Sequence, residues 1–319
     1  MKPGRQRQIV TAALLLGMFL AALEATAVGT AMPTAVGELG GGARYSWVFS
    51  AYLLTSTTTV PLYGKLADLY GRRVIYIVAV ALFLGGSALS GLARTFDQLI
   101  LFRAVQGLGA GGVMPVALTL VGDIFTLEER GRMQGLFSSV WAISSLVGPA
   151  AGGLITDLLS WRWIFYINLP LGAVALATVA LVLKLPKPSG PKPKLDYAGT
   201  VLLAAASVCI VLFTSWGGGQ YAWDSPVIIG LGIGTVVAAA VFVIAERHAS
   251  EPIIPLRLFR DREFVLTALI GITVGIAMFS TVSYLPTFPQ MVSGASATES
   301  GLLMLPMVAR LASGTWATP

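Results

Sequence analysis

Charge is scarce in this chain: 11% of its 319 residues are Asp, Glu, Lys or Arg, against about 25% in a soluble domain. Apolar residues make up 55%, and mean hydropathy is +0.79. That balance excludes an ordinary water-soluble globule and implies an all-α, polytopic membrane protein. Cysteine is nearly absent. Cys209 stands alone inside an apolar run, which rules out a disulfide framework and a thiolate metal cluster. The only histidine, His248, lies in a charged loop and reads as a solvated residue rather than a metal ligand. No Walker phosphate loop, HExxH, GxSxG or CxxC array occurs. Neither ATP-driven transport nor the commoner hydrolase chemistries has visible machinery, so no enzyme and no cofactor is expected. The net charge of +6 does not point to nucleic acid, because the basic residues flank apolar runs on one side, as the positive-inside rule requires.

What the chain does have is long apolar runs. A bilayer-crossing helix needs about 20 mostly apolar residues. That length places spans near 9–32, 46–63, 74–93, 98–122, 133–156, 163–183, 197–216, 226–245, 264–285 and 298–317. The run after Lys2, Arg5 and Arg7 is longer than the apolar region of a signal peptide and reads as a span. With ten spans alternating in direction, all but five of the 21 lysines and arginines fall in loops on one side, the five being Arg44, Arg94, Arg103, Arg162 and Arg310. The amino terminus is therefore expected in the cytoplasm. The segment KLPKPSGPKPK (184–194) carries four prolines, which forbid a helix, and four lysines, which suit an anionic inner leaflet. It reads first as a solvated tether and second as a contact for membrane lipid. An amphipathic connector follows at 246–263. Three parts result: a six-helix bundle over 1–183, the linker with a two-helix insertion and connector over 184–263, and the start of a second bundle over 264–319.

Polar residues inside the spans locate the chemistry. Glu24 is the one ionisable residue in the first span. A central carboxylate facing lipid costs a few kcal/mol, so it is expected to face the bundle interior, either as a proton-carrying group or as a structural hydrogen-bonding one. In the fourth span Arg103 and Gln106 are three residues apart and share a face. Arg103 either pairs with Glu24 or snorkels to an interface. Gly107 and Gly111, and Gly148 and Gly152 in the fifth span, are small-xxx-small pairs that permit close helix packing. Pro149 removes one backbone hydrogen bond and bends its helix. Between the second and third spans the chain reads GKLADLYGRR (64–73). The apolar helix is expected to end at Pro61–Leu62 and to meet a compact turn here, with Gly64 and Gly71 allowing it and Asp68 paired to Arg72 four residues on. Tyr52, Phe137, Trp141, Tyr284 and Gln290 are candidates to line a cavity, and Trp161 and Trp163 read as belt residues at the outer interface.

These segments resemble one family in order. GKLADLYGRR resembles the signature loop of the major facilitator superfamily, and FRAVQGLGAGG (102–112) its fourth-helix arginine motif. VGPAAGG (147–153) resembles the fifth-helix motif of antiporters. LEATAVGTAMP (23–33) resembles the first-helix motif of the fourteen-helix drug:proton antiporters, and WRWIFYINLPLG (161–172) and LDYAGTVLLA (195–204) are similar to that group as well. The resemblance implies alternating access, with proton entry driving export of small hydrophobic or cationic compounds across the cytoplasmic membrane. It implies an inner charge latch of Gly64, Asp68, Gly71, Arg72 and Arg73, and coupling by Glu24, Arg103 and Gln106. It also implies an antiporter bend at Gly148, Pro149, Gly152 and Gly153. Where the family usually has aspartate, this chain has Glu24, which keeps the charge and reaches farther. About ten of an expected fourteen spans are present, and residues after Met307 read VARLASGTWATP without a second glycine–arginine turn. A truncated or frame-shifted product with an incomplete second bundle is therefore expected. The rival functions are export of one natural product, lipid or siderophore, an inactive fragment, and a membrane-embedded enzyme, for which only dispersed polar groups are found.

Overall fold

The computed structural model describes residues 4–41, 44–183, 196–249 and 252–284, without the side chains of 145, 146, 197 and 278–284. Those residues are almost wholly helical: α1 Arg5–Leu39, α2 Tyr45–Tyr70, α3 Arg72–Leu92, α4 Phe96–Ile124, α5 Leu127–Leu158, α6 Trp163–Tyr166, α7 Asn168–Val182, α8 Tyr197–Trp216, α9 Pro226–His248 and α10 Arg262–Tyr284. Helix starts follow local chemistry. Thr95 caps α4 by accepting from the Gln98 amide, Thr126 and Glu129 form a capping box on α5, and Ser225 with Pro226 opens α9. The sixth span is interrupted at Ile167, because Pro170 has no N–H to offer the Tyr166 carbonyl.

Seven helices among the described residues are long and apolar enough to cross a membrane, α6 and α7 counting as one. The Ser/Thr run Thr55–Thr59 lowers the hydropathy of α2, although its length is that of a span. The expected span at 298–317 and the linker lysines 184, 187, 192 and 194 lie outside the described residues. Large apolar side chains face outward along the helices, Leu181 at 77% and Val236 at 69% exposure. In water such a surface would be an aggregation hazard; against lipid tails it is the ordinary exterior.

Helix α4 is the centre of the packing. It lies against α2 and α3, while α1 lies against α5 and α7. Glycine makes this possible: a Cβ at Gly107 would stand 2.5 Å from the Tyr52 carbonyl oxygen of α2, and one at Gly109 would stand 2.6 Å from the Ala79 carbonyl oxygen of α3. Thr59 then donates to the Leu108 carbonyl at 3.4 Å across the α2–α4 seam. The buried apolar side chains divide into two clusters. One surrounds Leu14, Tyr76, Phe83, Leu120 and Val179 toward the end that bears Asp68 and Arg72. The other surrounds Met32, Val48, Phe96, Trp161 and Phe165 toward the opposite end. Helix α8 pairs with α9 and rests on α2, where Trp216 meets the edge of Trp47 at 5.0 Å.

Three expectations change. The second helix does not stop at Pro61–Leu62 but runs to Tyr70, since an internal proline forfeits one hydrogen bond and the next turns restore the ladder. The whole reversal is carried by Gly71 at φ +93°. Gly64 lies within the helix with open space beside it and makes no turn. Trp161 is not a belt residue: it is 1% exposed, and its indole N–H donates to Glu38 Oε2 at 2.6 Å. Trp163 is half exposed. Phe137 belongs to the apolar core rather than to a cavity wall.

Candidate functional site

Between the two apolar clusters lies a layer of polar side chains sealed from solvent. Glu24 projects from α1, Arg103 and Gln106 from α4, Ser87 from α3, and Asn168 from the first turn of α7; all five are at most 1% exposed. Arg103 Nη1 donates to Glu24 Oε1 at 2.5 Å and to Gln106 Oε1 at 2.7 Å. The other carboxylate oxygen, Oε2, accepts from Asn168 Nδ2 at 2.6 Å. Ser87 Oγ accepts from Asn168 at 2.9 Å and from Gln106 at 3.2 Å, and donates to the Phe165 carbonyl at 2.9 Å. The guanidinium carbon lies over the Tyr52 ring, 4.1 Å from its centroid. Arg103 thus does not snorkel. It closes a net-neutral pair in low dielectric, and each carboxylate oxygen has its own donor, as a buried charge requires.

Beside this network is a void of about 10 Å³, lined by Leu23, Glu24, Ala27, Gly152, Ile155 and Asn168 among others, a size close to that of one water molecule. Asn168 Oδ1 is buried and has no partner among the described residues. The void adjoins the segment of α5 around Gly152, which packs on α1. Thr26 Oγ1 donates to the Ser144 carbonyl at 3.1 Å, and a Cβ at Gly152 would stand 2.7 Å from the Ala27 carbonyl oxygen. Gly148 faces Thr26 in the same seam, whereas Gly153 has open space beside it. Pro149 sits inside α5 between these contacts.

The charged layer at the α2–α3 reversal is separate. Arg72 Nη2 stands 3.7 Å from Asp68 Oδ1, the expected partner, but Arg72 also forms a tight pair with Asp123 of α4 and donates to the Thr119 carbonyl at 3.4 Å. Arg73 donates to the Ala180 carbonyl, one of the acceptors that the end of α7 leaves free. Opposite, Glu38 of α1 holds Arg162 at 2.6 Å, and Arg44 pairs with Asp97.

The structure therefore brings Glu24, Arg103, Gln106 and Tyr52 into one site, with Gly152 beside it. Trp141 is half-buried on α5. The side chain of Tyr284 and all of Gln290 lie outside the described residues. Sequence reasoning missed Asn168, Ser87 and Asp123. Asn168 was open to the argument applied to Glu24, since a lone amide in an apolar span also needs an interior partner. Ser87 sits among glycines and alanines with no such signal, and Asp123 is recognisable only once α3 and α4 are side by side.

The family model of the Major Facilitator Superfamily matches residues 14–319. The chain is 44% identical over 309 residues to the multidrug transporter protein MdtP of Bacillus subtilis, covering 96% of this chain and 57% of that protein. It is 40% identical to multidrug resistance protein 3 of the same organism, covering 94% and 59% respectively. With efflux pump FUS6 of Gibberella fujikuroi the identity is 37%, over 96% of this chain and 56% of the pump. The chain thus spans less than three-fifths of the length of these relatives. Among solved structures, the human organic anion transporter MFSD10 superposes with a TM-score of 0.60 at 17% identity, over 98% of this chain and 73% of that one. The POT family transporter PepTSo gives 0.61 at 15%, over 97% and 69%. At such identities the likeness speaks for the fold alone. The family match over nearly the whole chain, joined to these helices and their order, places the protein in a class of transporters: the chain belongs to the major facilitator superfamily.

Proposed function

We propose that this chain contributes the proton-handling half of an exporter that moves small lipophilic, often cationic, compounds out across the cytoplasmic membrane in exchange for protons. The observation that carries this reading is the sealed Glu24–Arg103 pair, at 2.5 Å and with both side chains at most 2% exposed. Arg103 makes the ionised carboxylate tolerable, and a change of access that separates the two leaves Glu24 as a buried acid that takes a proton. Relatives named as multidrug transporters and efflux pumps support the export of drug-like molecules.

In this reading residues 1–183 form the amino-terminal bundle, 184–263 the linker, helix pair and connector, and 264–319 the start of the second bundle. The amino terminus lies in the cytoplasm. Asp68, Asp123 and Arg72 latch the inner side, and the seam of Gly148 and Gly152 on α1 is where α5 moves. Substrate binding between two bundles calls on the partner bundle as well. The test is Glu24→Gln in the complete transporter. Membrane insertion and expression are expected to be unchanged, while efflux of a cationic dye driven by a pH gradient falls to background. Efflux at the normal rate would remove Glu24 from the coupling role.

A further inference from the structure

The chain also carries a concentration of positive charge, remote from the buried network. At the end of α9 the side chains of Val243 and Arg247 form one wall of an open groove of about 850 Å³, and Leu256, Arg257, Phe259 and Arg260 form the other. The second wall belongs to a single 3-10 turn, Leu256–Arg260. It is held in place rather than loose: the Glu246 carboxylate, 3% exposed, accepts from the Ile253 amide at 3.1 Å and the Ile254 amide at 3.2 Å. Phe259 is braced edge-on by Phe264 at 5.5 Å. One buried acid thus fixes the connector so that three arginines from two elements converge. None of the three has an ion pair among the described residues. Of the acids nearby, Glu246 holds the connector and Asp261 accepts from the Glu263 amide at 2.9 Å.

We infer that this groove binds the phosphate headgroup of an anionic phospholipid of the inner leaflet. The positive-inside rule accounts for basic residues near a span but not for their convergence on one groove. Guanidinium forks match phosphate oxygens two at a time, and basic pockets beside spans on the cytoplasmic side are where anionic headgroups lodge. A lipid rather than a free anion is favoured by the apolar surroundings. Val237, Val241 and Ile244, exposed by 54%, 42% and 56%, form a stripe down α9 that ends one turn before Arg247. An acyl chain on that stripe would bring its phosphate to the arginines, with Phe259 and Leu256 beneath the glycerol.

The test is native mass spectrometry of the complete chain, released from nanodiscs of equimolar phosphatidylglycerol and phosphatidylethanolamine. Phosphatidylglycerol is expected to be retained preferentially. The triple variant Arg247→Gln, Arg257→Gln, Arg260→Gln should lower that preference by roughly tenfold or more. Because these side chains are exposed, its circular dichroism is expected to match the parent. Changing Lys184, Lys187, Lys192 and Lys194 to glutamine removes more charge from the linker but is expected to leave the preference intact. Equal retention of both lipids would overturn the inference, as would equal losses in the two variants. Displacement of the lipid by millimolar glycerol phosphate would also overturn it, since the groove would then be a free-anion site.

Discussion

Separating what the Glu24–Arg103 pair does for the fold from what it does for transport calls for a double-mutant cycle with leucine. Glu24→Leu strands a guanidinium that keeps Gln106 Oε1 at 2.7 Å, the Val48 carbonyl at 3.5 Å and the Tyr52 ring face at 4.1 Å, none of them a countercharge. Arg103→Leu strands a carboxylate that keeps neutral amide donors, Asn168 Nδ2 at 2.6 Å foremost. Removing one member of a buried pair costs roughly 3–5 kcal/mol, mostly as the penalty of an uncompensated charge. The double variant removes both charges. Its remaining cost is the loss of partners at Gln106 and Asn168, about 1–3 kcal/mol for an orphaned buried polar group. The double variant is therefore expected to be more stable than either single one, and several kcal/mol better than their sum. Reversible unfolding in mixed micelles, followed by circular dichroism, reads all four corners of the cycle. Additive losses would refute the pairing argument, because independent sites add and coupled ones do not. Recovered stability in the double variant, with dye efflux still absent, would show that the pair is retained for something other than holding the helices together.

Asn168→Leu removes the donor to Glu24 Oε2 and to Ser87, and is expected to cost about 1–3 kcal/mol and to displace the pH profile of efflux, measured in vesicles at stepped external pH. A profile superposing on the parent would deny Asn168 a hold on the carboxylate. At the reversal, Asp123→Asn is expected to slow turnover at least as much as Asp68→Asn, since Asp123 forms the tighter pair with Arg72 and is the less exposed, 33% against 63%. Either change should alter stability by no more than about 1 kcal/mol, and a large effect confined to Asp68→Asn would contradict the geometry. In α5, Gly152→Ala drives a methyl against the Ala27 carbonyl oxygen and should cost about 1–3 kcal/mol. Gly153→Ala, with open space beside it, should be neutral or gain up to about 1 kcal/mol in helix propensity. Equal melting shifts would refute that packing.

The helices were legible because spanning length is set by the bilayer and needs only a count of apolar residues. The Glu24–Arg103 pair was legible for a related reason: two opposite charges in an apolar bundle have few places to go except each other. The errors fall where one-dimensional rules compete with the ladder of backbone hydrogen bonds. Pro61 looked like a terminus, yet one missing donor does not end a helix whose next turns are intact, so the reversal contracted to Gly71. Trp161 looked like a belt residue because tryptophan favours interfaces, but its buried indole donates to Glu38, and that contact needs the end of α1 and the start of α6 to be neighbours. The same limit hid Asp123, whose ion pair with Arg72 exists only across two helices far apart in sequence.

Helix α1 is the element that the Arg103, Trp161 and Asn168 contacts have in common. It presents Glu24 to α4 and α7, while Ala27 and Thr30, about one and two turns on, receive Gly152 of α5. The two surfaces are not independent, because Gly152 and Glu24 line the same 10 Å³ void. In a close-packed interior, a glycine-faced seam is the one place where a helix can slide without first compressing a side chain. A displacement of α5 along α1 would change the volume beside the carboxylate before it changed anything else near Glu24. The position of the glycine seam, one helical turn from the only acid in α1's buried middle, thus makes helix movement and carboxylate environment a single geometric variable.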